Sequence, residues 1–178
     1  MRLHAQAARA AAADGDTDGF TTALRAAEDA YGLLPPRSPR RFGLDVSPLA
    51  DYALTSYPAT SFVWLGQGEQ ARLHAEQALA TYEAAPATSR SPSREAIARI
   101  DLALAHALLG DPDDAVTLGH QALDSARVVD SVRHRADDLT SFLMRRYPHQ
   151  ASVEGLRERL TAADAVTRPA LPTASRRA

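Results

Sequence analysis

Apolar positions in this chain recur every three or four residues, in blocks separated by Gly, Pro and Asp. This is the pattern of successive amphipathic helices. It is densest from Ala96 to Leu109, where Ile97, Ile100, Leu104 and Leu108 fall on one side and Ala98, Leu102, Ala105 and Leu109 on another. Only Arg99, Asp101 and His106 are left polar, and a helix apolar on two sides is packed on two sides. A second helix follows Gly110, with Pro112 near its first turn and Asp113 and Asp114 at the positive end of its dipole. Its apolar side is Ala115, Val116, Leu118, Ala122, Leu123 and Ala126, while Thr117, His120, Gln121 and Asp124 face away. One buried and one half-exposed helix joined by a tight turn make a helical hairpin.

The unit repeats. Leu65-Gly66-Gln67-Gly68-Glu69-Gln70-Ala71 aligns with Leu109-Gly110-Asp111-Pro112-Asp113-Asp114-Ala115, and Gln77-Ala78-Leu79 with Gln121-Ala122-Leu123. A weaker copy has Gly15-Asp16 followed by Ala27, with Phe20 at the earlier alanine position. Such self-similarity marks stacked helical hairpins. Ala71 with Ala78, and Ala115 with Ala122, are seven residues apart and share a face, so that two helices can approach closely there.

In chain order, residues 2–13 and 18–32 read as a first, degenerate hairpin. Residues 33–48 hold Pro35, Pro36, Pro39 and Pro48 with Arg37, Arg40 and Arg41, and read as an extended connector. Helix returns from Leu49 to Leu65, with Pro58 expected to kink it or break it near Tyr57. Residues 69–85 form its partner, Thr88 to Ser93 a polar loop, and Ser93 an N-cap for the central hairpin. Ser131 is placed as the cap of a further helix running to about Tyr147. A last short helix carries Val153, Leu156, Leu160 and Ala163, and residues 164–178 read as a flexible tail.

A glycine at the turn with Ala five and twelve residues later resembles the tetratricopeptide repeat. The resemblance implies an all-α fold, a tetratricopeptide-like stack of about four antiparallel hairpins in a right-handed superhelix over residues 1–163, with the clearest repeats in 49–126. Ala78-Leu79-Ala80-Thr81-Tyr82, Asp101-Leu102-Ala103-Leu104-Ala105 and Leu156-Arg157-Glu158-Arg159-Leu160 also look like the repeat region of actinobacterial helix-turn-helix regulators of the Xre type. There a DNA-binding domain precedes a repeat domain that senses a ligand or mediates assembly. Here the repeats are expected to begin at the N-terminus, without a helix-turn-helix before them.

Composition narrows the chemistry. About a fifth of the 178 residues is alanine, which favours helix, and the length suits one domain that buries roughly 70% of its unfolded surface. All 20 basic residues are Arg, and there is no Cys, which excludes disulfides and thiolate metal sites. No segment approaches the length of an apolar membrane span, and a cytoplasmic location is expected. The net charge of −2 argues against a nucleic-acid surface, so no direct specific nucleic-acid binding is expected. The six histidines show no metal-ligand spacing; His134 with Asp137 and Asp138 reads as an exposed helical face, and Asp113-Asp114 as a dipole pair. No catalytic residues, metal or cofactor are expected.

A groove remains. In the family that the chain resembles, the first helices of successive hairpins line a concave surface that binds peptides or packed helices. Carried over by register, this sets Ser56, Tyr57, Thr60, Val63 and Trp64 beside Ile97, Ile100, Asp101, Leu104 and Leu108. Domains of that fold that grip a C-terminal carboxylate use Lys, Asn and Arg, whereas Ser56, Thr60, Ile100 and Leu104 stand at comparable places here. The groove set is therefore Tyr57, Thr60, Trp64, Ile100, Asp101, Leu104 and Leu108, and the reading of these residues as ordinary core stays open beside it. The expected partner is a protein or peptide, or a small-molecule signal; a homo-oligomer is left open. The function implied is a non-enzymatic recognition domain, the sensor or assembly part of a transcriptional regulator. A free-standing scaffold or adaptor for protein–protein interaction is the alternative.

Overall fold

In the computed structural model, residues 1–33 and 52–167 are described, and those residues form eight α-helices and one short 3-10 turn, with no strand among them. The helices are α1 (Arg2–Ala13), α2 (Thr17–Gly32), α3 (Tyr52–Trp64), α4 (Gly68–Ala84), α5 (Pro92–Leu109), α6 (Pro112–Leu123), α7 (Asp130–Arg146) and α8 (Ala151–Thr167). Residues 34–48 of the expected connector, with its arginines and prolines, and the chain beyond Thr167 lie outside the described residues.

Three turns share one construction. Gly15, Gly66 and Gly110 all have positive φ, at 76°, 69° and 101°, where a side chain would be strained. The amide after each glycine then donates back five residues: Asp16 to the Ala11 carbonyl at 2.8 Å, Gln67 to Phe62 at 2.9 Å and Asp111 to His106 at 2.9 Å. These bonds take up carbonyls that a helix end leaves without partners. The repeat read from Gly and Ala spacing is thus a repeat of backbone geometry. Ala71, Ala78, Ala115 and Ala122 are all fully buried, as are Ala27 and, nearly so, Phe20 of the first copy.

The three turns fold α1 on α2, α3 on α4 and α5 on α6, and α7 packs on α8 across the short link 147–150. The first helices of these pairs also touch in sequence, α1 with α3, α3 with α5 and α5 with α7. The largest apolar cluster joins α5 to α8 through Ile100, Leu104, Val116, Leu139, Leu143 and Leu156. Toward the N-terminus the clusters are smaller and rich in alanine: Ala5 with Ala27, and Ala8 and Ala12 with Phe20. Phe62 of α3 closes that end, edge-on to Phe20 at 4.9 Å and stacked on His74 at 5.2 Å.

Some boundaries differ from the sequence reading. Pro58 sits inside an α3 that runs unbroken from Tyr52 to Trp64. The central helix begins at Pro92 after Ser91, not after Ser93, because proline is tolerated in a first turn that needs no amide donor. Likewise α7 begins at Asp130 with Val129 before it, so Ser131 lies within the helix. The last helix extends to Thr167, beyond the expected end at 163.

Candidate functional site

A cleft of about 420 Å³ opens where α3, α5 and α7 meet. Val63 and Trp64 of α3 and Leu104 of α5 form its apolar part, and Arg135, Asp138, Ser141, Phe142 and Arg145 of α7 form its far wall. Helical spacing explains the wall, since residues three, four and seven apart share a face. Trp64, the only indole in the chain, keeps 40% of its surface exposed and is among the large apolar groups open to water in the described residues.

Beneath the cleft runs a chain of polar groups. Asp101 is fully buried in the middle of α5. The Thr60 hydroxyl donates to one of its carboxylate oxygens at 2.6 Å, and the Arg135 guanidinium donates to the other. Arg135 also donates to Asp138 at 3.2 Å and lies 5.9 Å from the centre of the Trp64 ring. Burial works to lower the Arg135 pKa, but Asp101 and then Asp138 hold it above the ordinary arginine value. Its Nε is buried without a hydrogen-bond partner. Three helices are thereby tied together by one carboxylate, and the guanidinium is fixed at the cleft.

The expected groove residues divide by position. Thr60, Asp101, Leu104 and Trp64 come together at or under the cleft. Tyr57 is half-buried one helical turn before Thr60, where Gln6 donates to its hydroxyl at 3.1 Å and the Arg9 guanidinium stands 5.2 Å from its ring. Arg9 also stands 5.3 Å from the Trp64 ring. Ile100 is fully buried in the main core cluster, and Leu108 is half-buried away from the cleft. Arg9, Arg135, Asp138, Phe142 and Arg145 were not foreseen. Two signals pointed to the four on α7 and none to Arg9: an Asp inside a helix apolar on two sides needs a partner, and residues 135, 138, 142 and 145 share a helical face.

A second cleft, of about 430 Å³, lies between the start of α5 and the end of α6, with Arg90, Glu95, Arg99, Gln121 and Asp124 on its walls. Most of its charges are paired: Arg99 with Glu95 at 2.6 Å and Glu83 at 3.4 Å, and Asp124 with Arg159, while Arg90 donates to the Glu83 carbonyl. His134 is exposed with Nδ1 2.8 Å from the Asp130 carbonyl, while Asp138 turns to Arg135 instead. Among the described residues, no group of His, Cys, Asp and Glu is placed to hold a metal ion, and no helix is long and apolar enough to cross a membrane. Comparison with family models, with curated proteins and with solved structures returns no match to this chain.

Proposed function

We propose that this chain is a tetratricopeptide-like repeat domain that recognises a ligand on the face of α1, α3, α5 and α7, as the sensor or assembly part of a transcriptional regulator. Three turns of one geometry and the unbroken contact along the odd-numbered helices support the superhelical arrangement. The regulator context rests on the resemblance of the segments at Ala78, Asp101 and Leu156. The observation that carries the recognition role is the cleft itself, in which an exposed indole stands over a guanidinium held fixed by a buried carboxylate. A large apolar ring left in water gains when a partner covers it, and a group already fixed loses little freedom on binding.

The polar groups suit binding more than proton transfer. Both Asp101 oxygens are occupied, and an arginine does not deprotonate at physiological pH.

A random peptide library displayed on phage, selected against the full chain, tests the reading. A consensus should emerge whose synthetic peptide shifts Trp64 emission. Ser141→Arg, which fills the cleft from its half-buried rim, should remove the shift while the helical circular dichroism stays intact. A library that yields no consensus, or a peptide whose binding ignores both Trp64 and Ser141→Arg, defeats the proposal.

A further inference from the structure

The identity of the occupant rests on the recognition role proposed for this face. Within that role the geometry points to a short extended peptide segment with an acidic residue beside an apolar one.

Length comes first. The cleft follows α7 from Arg135 to Arg145, and ten residues of helix span about 15 Å. An extended chain advances about 3.3 Å per residue, so about four to five residues cover that distance. An open cleft of this outline suits a strand of peptide laid along the helix.

Its floor takes an apolar side chain. Trp64 of α3, Leu104 of α5 and Phe142 of α7 all line the cleft, and the indole is the one of the three most open to water. Aromatic side chains in this setting commonly anchor an interface.

Charge selects the neighbour. The two carboxylates at the site, Asp101 and Asp138, are both engaged by Arg135. Arg145 is exposed at one end of the cleft, and Arg9 stands over the Trp64 ring on the α1 side; neither has a carboxylate partner among the described residues. In a chain of net charge −2, one guanidinium without a carboxylate partner lines the cleft with the exposed indole, and another stands over that indole from α1. Guanidinium binds carboxylate through paired hydrogen bonds, which gives direction as well as attraction. A peptide without a carboxylate would leave both guanidinium groups without an ionic partner.

The test uses labelled hexapeptides with Glu-Phe, Gln-Phe, Glu-Gly or Lys-Phe at the centre, titrated into the full chain by fluorescence polarisation. Trp64 emission is read alongside. The Glu-Phe peptide should bind about tenfold or more tightly than the Gln-Phe and Glu-Gly peptides, with the advantage over Gln-Phe shrinking as salt is raised. Arg145→Glu should erase that advantage with unchanged helical content, because Arg145 is exposed. Equal binding of the Gln-Phe or Lys-Phe peptide overturns the acidic occupant while leaving the recognition role standing. A Glu-Phe preference that survives both Arg145→Glu and Arg9→Glu overturns it as well. If no hexapeptide binds and the unbiased library also yields none, the recognition role falls with it.

Discussion

Asp101 and Arg135, 34 residues apart, form an ion pair inside the protein, their side chains only 1% and 12% exposed. A pair so placed gains strong attraction and loses hydration on both sides. The two terms nearly cancel, and the pair is best understood through what happens when one partner goes. Arg135→Met should lower stability by about 3–5 kcal/mol, because the carboxylate is left buried and uncompensated. Asp101→Leu added to it should restore most of that loss. Thr60 then turns to the Ser56 carbonyl, 3.4 Å from its hydroxyl. Urea titrations of the single and double variants check this, and additive losses would refute it.

Acid should weaken the fold through His74. Burial lowers its pKa from the ordinary 6.5, and its Nδ1 has no hydrogen-bond partner. Burial first, then Arg159, also lowers that of His120, against the pull of Asp124. With the folded value below the unfolded one, the unfolded chain binds more protons in the window between them, so stability rises with pH there. The contribution is complete above the ordinary histidine value and is lost as pH falls through it toward the folded value. His74→Phe should therefore flatten the fall in melting temperature on going from neutral to mildly acidic buffer. An unchanged slope would mean that His74 is not the group responsible.

Two helical glycines should respond in opposite directions. A Cβ on Gly119 of α6 would stand 2.9 Å from a Leu156 methyl and 3.0 Å from a Leu139 methyl, closer than atoms rest. A Cβ on Gly155 of α8 would meet nothing within 4 Å. Gly155→Ala should then stabilise by about 0.5–1 kcal/mol through helix propensity alone. Gly119→Val should destabilise by about 1–3 kcal/mol, since two core leucines must shift. Thermal melts of the two variants settle the contrast.

The repeat alanines make a further pair. Ala122→Leu, at a fully buried position, should cost about 1–3 kcal/mol, and Gln121→Leu, exposed beside it, should change stability by about 0.5 kcal/mol or less. Equal melting temperatures would remove the basis for treating Ala122 as a contact between close helices.

What the sequence made legible was local. A left-handed turn requires glycine, and close helices require alanine, so Gly66, Ala71, Gly110 and Ala115 mark their own places. Asp101 was visible only as an odd polar residue, because its partner is supplied by a helix 34 residues on, and that pairing leaves no trace in local spacing. Arg145 and Phe142 were hidden for the same reason: periodicity gives the face of α7 they occupy, and only packing shows that the face looks across at Trp64. The place of Gly119 is likewise set by Leu139 and Leu156, which only packing brings over it. Thr60 and Trp64 were reached by register, since they lie on the helix whose turn is best marked.

The alanine-lined clusters of the first hairpin carry a kinetic consequence. The fully buried residues of the first hairpin are mostly alanine, whereas those of α5 to α8 include Ile100, Leu104, Leu139, Leu143 and Leu156, so α1 and α2 bury less apolar area in their clusters. Local opening is expected first where the least apolar area is buried. Backbone amides of α1 and α2 should exchange with deuterated water before those of α5 and α7. Arg9 belongs to that hairpin, so its opening would carry one guanidinium away from the indole.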